Sequence, residues 1–341
     1  MKIKSIKTQL KTIPLKTPFI TALRRVENVE FVRVLVTCGN ADVGIGEAPA
    51  TKAVTGEDLD DILRSIEFIQ ESLLYTSPLK ALDILHASSI GSSAKAALDI
   101  ALVSLLAQEK KQALFEYFGA DKKSDLQTDI TVSLKNHSLM LKDSISLYNE
   151  GMDILKVKLG SDIVHAIQVT QEIAKELPDA KLIIDANQAW SVKDSLEFIQ
   201  AMQDVKIELI EQPVEAKDME GLKAITQISH IPILADEAVF TLEDAKKVIE
   251  TKSADMINIK LMKCGGLSKA VEILEYAKKM KVKCMLGSML EGPYSINAAL
   301  HLAMAYTDVI AYIDLDSPLL YKEASQELEF RFDAKEIHYI D

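Results

Sequence analysis

The sequence predicts a parallel (β/α) barrel preceded by a smaller α+β unit, and three observations predict it. From about Thr128 onward, short β-rich runs alternate with amphipathic helical patterns, the signature of strands joined by crossover helices. Eight such runs recur about every 25 residues, the strand number that closes a ring. Several of them end in a charged residue, at the face where side chains of different barrel strands converge.

Before that rhythm starts, the texture differs. Ile3–Ile13, Glu30–Cys38 and Val43–Glu47 read as strands, and Asp58–Leu74, Pro78–Ala87, Ser93–Gln108 and Ala113–Phe118 as helices. Strands followed by helices suit an α+β unit. Thr17–Glu27 and Pro49–Glu57 are polar and turn-rich, which is expected of surface loops. The barrel strands are then Asp129–Ser133, Ile154–Leu159, Leu182–Asn187, Ile207–Glu211, Ile231–Asp236, Met256–Lys260, Val282–Ser288 and Val309–Asp316. Helices lie between them, for example Val192–Met202, Leu242–Thr251 and Ser268–Met280. The alternative is an open doubly wound sheet, which usually carries a glycine fingerprint after its first strand. The nearest candidate, Gly44-Ile45-Gly46, has Pro49 where the third glycine would fall, and no helix follows directly. Beyond Asp316, Phe330-Arg331-Phe332 and Ile337–Ile340 read as extended segments returning to the first unit.

The 341 residues are enough for one barrel and a smaller domain. The net charge is −12 and no Lys/Arg block stands out, which argues against nucleic acid or anionic membrane as partner, since phosphate recognition needs clustered positive charge. A small molecule is the better expectation. Met1-Lys2-Ile3-Lys4-Ser5-Ile6-Lys7 alternates lysine with apolar residues and reads as a strand, not a signal peptide. No apolar run approaches the ~20 residues that span a bilayer. Cys38, Cys264 and Cys284 are isolated, without a CxxC pair, as in a reduced cytoplasmic protein.

The strongest signal is charge inside apolar strands. Barrel strands are buried on both faces, and side chains alternate with period two. In Ile154-Leu155-Lys156-Val157-Lys158-Leu159 the leucines and valine form one set, so Lys156 and Lys158 point together into the barrel. The plain alternative is two lysines snorkelling from an edge strand. The next strands supply partners: Ile184-Asp185, Ile210-Glu211 and Ala235-Asp236 each end an apolar run in a carboxylate. Each could be a helix N-cap. Three in succession on adjacent strands form an oxygen-only donor set, which suits Mg²⁺ or Mn²⁺ and not zinc. Met256-Ile257-Asn258-Ile259-Lys260 adds a lysine four strands away from Lys158, on the opposite side of an eight-stranded ring. Asp314 and Asp316 lie two residues apart and point the same way, either as solvated carboxylates or as a site for a substrate ammonium.

This layout suits removal and return of a proton beside a carboxylate. The negative charge that develops as the proton leaves needs positive charge next to it, from a divalent cation and Lys156. A lysine acting as base must be neutral, a form that desolvation and neighbouring positive charge favour. One lysine on each face inverts the stereocentre.

These residues resemble the enolase superfamily, in its muconate-lactonizing subgroup. The resemblance rests on Lys156-Val157-Lys158, Asp185-Ala186-Asn187, Glu211-Gln212-Pro213, Asp236-Glu237 and Lys260-Leu261-Met262-Lys263-Cys264-Gly265-Gly266, and covers essentially the whole chain. It implies an enolase-like fold: a (β/α)7β TIM-like barrel with an N-terminal α+β capping domain. The expected division is a capping domain at 1–122, a barrel at 123–316 and a returning segment at 317–341. The resemblance assigns Asp185, Glu211 and Asp236 to one Mg²⁺ per subunit (Mn²⁺ as alternative) and Lys158 and Lys260 to acid/base work, with Lys156 beside them.

Within the subgroup the chain is similar to dipeptide epimerases acting on substrates of the L-Ala-L-Glu type. The resemblance implies that Asp314 and Asp316 hold the dipeptide ammonium. It likewise implies that Arg24, in Thr21-Ala22-Leu23-Arg24, pairs with the side-chain carboxylate, with neighbouring Arg25 as the other candidate. Ser288 and Leu290, in Gly287-Ser288-Met289-Leu290-Glu291, and Thr131 would line the peptide. A role in recovering murein peptides follows from the same resemblance. The expected partner is a small dipeptide, and a homo-oligomer is compatible with the sequence. The alternatives are an o-succinylbenzoate synthase or N-succinylamino acid racemase, which need no ammonium site, and a non-catalytic peptide-binding barrel. The six histidines are assigned no role, and Trp190 is read as core or wall.

Overall fold

The computed structural model describes residues 1–21, 25–39 and 41–340. Strands β1 (Ile3–Ile20), β2 (Arg25–Cys38) and β3 (Val43–Pro49) form an antiparallel sheet in that order. The helix Ser92–Glu109 lies across β3. Gly44 and Gly46 make that approach possible. A Cβ at Gly46 would stand 1.9 Å from the Ala97 carbonyl oxygen, and one at Gly44 2.0 Å from that of Ala101. The glycine pair is thus a packing device, which accounts for its failure to match a phosphate-binding fingerprint.

After a short strand β4 (Leu126–Gln127) come the parallel strands β5 (Ile130–Val132), β6 (Ile154–Lys158), β7 (Lys181–Asp185), β8 (Ile207–Glu211), β9 (Ile233–Ala235), β10 (Met256–Lys260), β11 (Cys284–Gly287) and β12 (Ile310–Asp314). They pair in chain order, each with its successor. A helix of ten residues or more follows each of the first seven. After β12 only the short Ser317–Leu320 helix follows. The architecture is therefore (β/α)7β and not eightfold. Capping boxes at Ser191 and Thr241 start two of the barrel helices, each cap contributing about 1 kcal/mol. Strands β13 (Phe330–Asp333) and β14 (Glu336–Tyr339) pair with each other, and β14 pairs with β4.

The first and last barrel strands meet at a seam. Asp129 N–H donates to the Ile313 carbonyl at 3.1 Å. The Thr128 hydroxyl donates to the same carbonyl at 3.3 Å and accepts Leu315 N–H at 3.1 Å. Thr131 N–H donates to Asp316 Oδ2 at 2.8 Å. Side chains here take over from a regular backbone ladder.

Two expectations need correction. Thr17–Glu27 is not a loop throughout, because β1 and β2 continue through it, with Phe19 opposite Val26 and Ile20 opposite Arg25. A two-stranded ribbon that runs on beyond its sheet packs only sparsely and needs little apolar alternation, so its sequence looks like a loop. Its far end rests on the barrel mouth: Leu134 N–H donates to the Ile20 carbonyl at 3.0 Å, and Ile20 N–H to Ser133 Oγ at 3.2 Å. Pro49–Glu57 likewise contains a short helix, Lys52–Thr55.

Glu47 on β3 joins sheet to barrel. It is fully buried and accepts Arg33 Nε at 2.8 Å. It also accepts the N–H groups of Tyr294 (2.9 Å) and Ser295 (3.4 Å), at the start of helix Pro293–Ala305. Arg33 reaches on to Glu327 through two 2.6 Å bonds. Burial pushes the Glu47 carboxyl up to about 7, against the pull of Arg33. Glu47→Ala would leave a buried guanidinium and two helix donors short of an acceptor. The expected loss is about 3–5 kcal/mol of unfolding free energy, measurable by denaturant titration; a loss below about 1 kcal/mol would contradict this joint.

Candidate active site

Strand alternation sorts the barrel interior into layers. Ile154, Ile183, Leu209, Leu234, Met256 and Met285 form an apolar plug, with Tyr312 packed on it. Their strand neighbours Leu155, Val157, Leu182 and Ile184 face outward into the main core. Two residues beyond the plug the interior turns polar, with Lys156, Asp185, Glu211, Asp236, Asn258 and Asp314, except on β11, where Gly287 stands. Lys158, Lys260 and Asp316 stand one step further toward the mouth. None of these charged groups is more than 6% exposed, so each must find a counter-charge inside.

They find it in one another. Lys156 Nζ lies 2.5 Å from Asp314 Oδ2, 2.6 Å from Glu211 Oε2 and 3.3 Å from Asp185 Oδ2. The Glu211 contact is an ion pair without hydrogen-bond alignment. Lys158 Nζ bonds Asp185 Oδ2 at 2.5 Å, and Lys260 Nζ bonds Asp236 Oδ2 at 2.8 Å. Lys263, from the short helix after β10, holds Asp236 Oδ1 at 2.6 Å and the Asn258 carbonyl at 3.0 Å. Room for Lys260 depends on Gly287, where a Cβ would come within 3.1 Å of Lys260 Cε and 2.8 Å of Asn258 Oδ1.

The acids divide by their surroundings. Burial alone would raise Asp236, but Lys260 and Lys263 hold it well below the ordinary carboxylate range. Asp185 is likewise lowered, burial being outweighed by Lys158 and Lys156. Burial and the neighbouring Asp185 carry Glu211 up to about 7 despite Lys156. Burial, then Asp236 and Asp185, carry Glu237 up to about 8. For Lys156, burial works against the charged form, yet Asp314, Glu211 and Asp185 leave its pKa well above the usual value.

Backbone strain is concentrated at the same strand ends. Asn187, Gln188 and Gln212 have φ of 44°, 67° and 36°, a left-handed region that costs non-glycine residues about 1–3 kcal/mol each. The Gln212 side chain recovers part of this by accepting Asp236 N–H (2.9 Å) and Ala238 N–H (3.1 Å). It thereby fixes the turn that carries Asp236.

A cavity opens onto these groups. Lys158, Lys260, Asp236, Thr131, Ser288, Leu290, Asp314 and Asp316 all line it. Lys156, Asp185 and Glu211 sit behind that lining, fully buried. Arg24 lies outside the described residues, whereas Arg25 is exposed and pairs with Glu27 at 3.3 Å. Sequence reasoning missed Phe19, Ala53 and Val54, which the capping unit contributes to the same cavity along with Thr21. It also missed the parts played by Glu237, Lys263 and Asp129. Glu237 and Lys263 stood inside motifs already singled out, so adjacency was a usable signal for them. Trp190 is structural: buried against Phe198, with Nε1 donating to the Gly160 carbonyl at 2.9 Å.

The donor set fits a hard cation. Asp185 and Glu211 end β7 and β8 in direct register, and Asp236 directly follows the neighbouring β9. Oxygens of Glu237, Asn187 and Asn258 nearby are buried without a hydrogen-bond partner. Oxygen-only donors with unpartnered oxygens close by suit Mg²⁺, which takes oxygen ligands and usually keeps waters in its shell. Among the described residues, the acids whose oxygens lie within 4.8 Å of one another are a different trio, Asp129, Asp314 and Asp316; in the first trio each carboxylate is drawn toward a lysine.

Amines and acids opposed across the mouth of a (β/α)7β barrel are the layout of an acid/base enzyme. A family model described as Enolase C-terminal domain-like matches residues 141–339. The L-amino acid-D/L-Glu epimerase of Sulfurimonas denitrificans is 62% identical over 338 residues, covering 99% of both chains. The substrate-liganded L-Ala-D/L-Glu epimerase of Bacillus subtilis superposes with a TM-score of 0.94 at 38% identity, over 99% of this chain and 96% of that one. The dipeptide epimerase of Enterococcus faecalis, complexed with Mg and L-Leu-L-Tyr, superposes at 0.93 and 33% identity, over 100% and 98%. The chain belongs to the enolase C-terminal domain-like family.

Proposed function

We propose that this protein is a Mg²⁺-dependent dipeptide epimerase, an isomerase that interconverts L-Ala-L-Glu and L-Ala-D-Glu by moving one α-proton. The observation that carries the reading is the placement of Lys158 and Lys260 on β6 and β10, four strands apart, lining one cavity. Either lysine can take the proton while the other returns one to the opposite face, so the α-carbon inverts. Bound by Asp185, Glu211 and Asp236, one Mg²⁺ per subunit (or Mn²⁺) would supply positive charge to the substrate carboxylate. Lys156 adds a permanent ammonium beside it. Asp314 and Asp316 receive the free α-ammonium, and Thr131, Ser288 and Leu290 line the peptide. Arg24 is assigned to the glutamate side chain.

The free-amine reading is preferred over an N-succinylamino acid racemase or o-succinylbenzoate synthase. Two carboxylates facing the cavity repel an acyl group that carries its own negative charge. We divide the chain at 1–122, 123–316 and 317–341 into cap, barrel and returning segment. Its three free cysteines suit the cytoplasm, and recovery of murein peptides is the physiological role that fits. With Mg²⁺ in D₂O, L-Ala-L-Glu should gain one α-deuterium and change optical rotation. An unchanged substrate, or faster turnover of an N-acylated amino acid, would overturn the proposal.

A further inference from the structure

One buried acid has no part in the reaction so far. Asp129 precedes β5 and, two residues before Thr131, points the same way into the barrel. It is 1% exposed, and neither of its carboxyl oxygens has a hydrogen-bond partner. An acid so placed is costly unless something arrives to use it. One of its oxygens lies with one oxygen each of Asp314 and Asp316, the three all within 4.8 Å of one another. Three acceptors placed tetrahedrally about 2.8 Å from one ammonium nitrogen stand about 4.6 Å apart, a separation that falls inside this limit. The other oxygens of the group are partly committed: Asp314 Oδ2 to Lys156 and Asp316 Oδ2 to Thr131 N–H. Burial and the nearby Asp314 hold the Asp129 carboxyl well above the ordinary range, as befits an acid awaiting a cation.

We propose that Asp129 is the third carboxyl of the ammonium subsite, forming with Asp314 and Asp316 a cage whose three acceptors match the three N–H donors of an unsubstituted amino terminus. This rests on the dipeptide reading and deepens it: Asp129 sets the demand for a primary amine. Asp129→Asn keeps the volume and removes the charge. It should raise KM for L-Ala-L-Glu about tenfold or more, the weight of one charge-assisted hydrogen bond, with kcat changed less than about threefold. Mn²⁺ binding, followed by calorimetry, should stay at one equivalent in both proteins. KM within about twofold of wild type would overturn the assignment. So would a second Mn²⁺ equivalent that disappears in the variant, because the trio would then be a metal site.

The unaltered protein gives a second test that does not depend on the variant folding. N-monomethyl-L-Ala-L-Glu has two N–H donors, so a three-acceptor cage should bind it about tenfold or more weakly than the parent. A site of two carboxylates keeps both its bonds, and equal binding would rule out the cage. Deuterium exchange by the wild type separates the two ideas: no exchange removes the dipeptide reading, whereas exchange with an unmoved KM removes only Asp129.

Discussion

Lys158→Ala should lower net epimerisation about 10³-fold while still exchanging the α-proton of one stereoisomer, and Lys260→Ala should do the same for the other. Each lysine reaches only one face of the α-carbon. Removing one leaves the second able to take and return a proton on its own side. Incubation of the L,L and L,D dipeptides in D₂O, followed by mass spectrometry, would show complementary patterns in the two variants. Loss of exchange from the same isomer in both, or retention of both isomers in either, would end the two-base mechanism. The folded state should tolerate both changes. Asp185 keeps Lys156 at 3.3 Å when Lys158 is gone, and Asp236 keeps Lys263 at 2.6 Å when Lys260 is gone. Buried acids left without any counter-charge would cost several kcal/mol; here neither is.

Chelation of divalent ions should reduce exchange to background, and Mg²⁺ should restore it. The effect is expected to be about 10³-fold or more, since Lewis-acid stabilisation of the developing charge is worth several kcal/mol. A second readout avoids activity altogether. A cation that binds only the folded chain stabilises it by about 2.7 kcal/mol at a hundredfold excess over Kd, so Mg²⁺ should raise the melting temperature. Glu211→Gln should abolish that rise, because it removes one of three charges while keeping shape. Full activity in chelator, or an undiminished Mg²⁺ shift in the variant, would refute the assignment of Asp185, Glu211 and Asp236.

How much of this was visible in the residues depends on contrast. Lys156, Lys158, Asp185, Glu211, Asp236 and Lys260 stood out because barrel strands are apolar on both faces, so a charge there is conspicuous. Alternation with period two then gave their direction, and chain order gave their opposition. Phe19, Ala53 and Val54 offered no such contrast, being ordinary apolar residues in polar surroundings that reach the cavity only through the path of the capping unit. Asp129 was hidden for the opposite reason. As the first residue of the run Asp129–Ser133 it reads as an ordinary strand-edge residue, and only the meeting of first and last strands brings it to Asp314 and Asp316. Gln212 was legible as part of a motif but not as the support for Asp236, which depends on a left-handed backbone.

The way the ring is fastened has a consequence for ligand binding. Where β12 meets β5, part of the closure passes through the Asp316 carboxylate, which grips the Thr131 amide from one side and borders the cavity on the other. Whatever draws on that carboxylate from within also loads the clasp that keeps the cylinder shut. The Thr131 amide proton is therefore a built-in gauge of occupancy, and its exchange with solvent should slow or quicken as the pocket fills, with no probe attached.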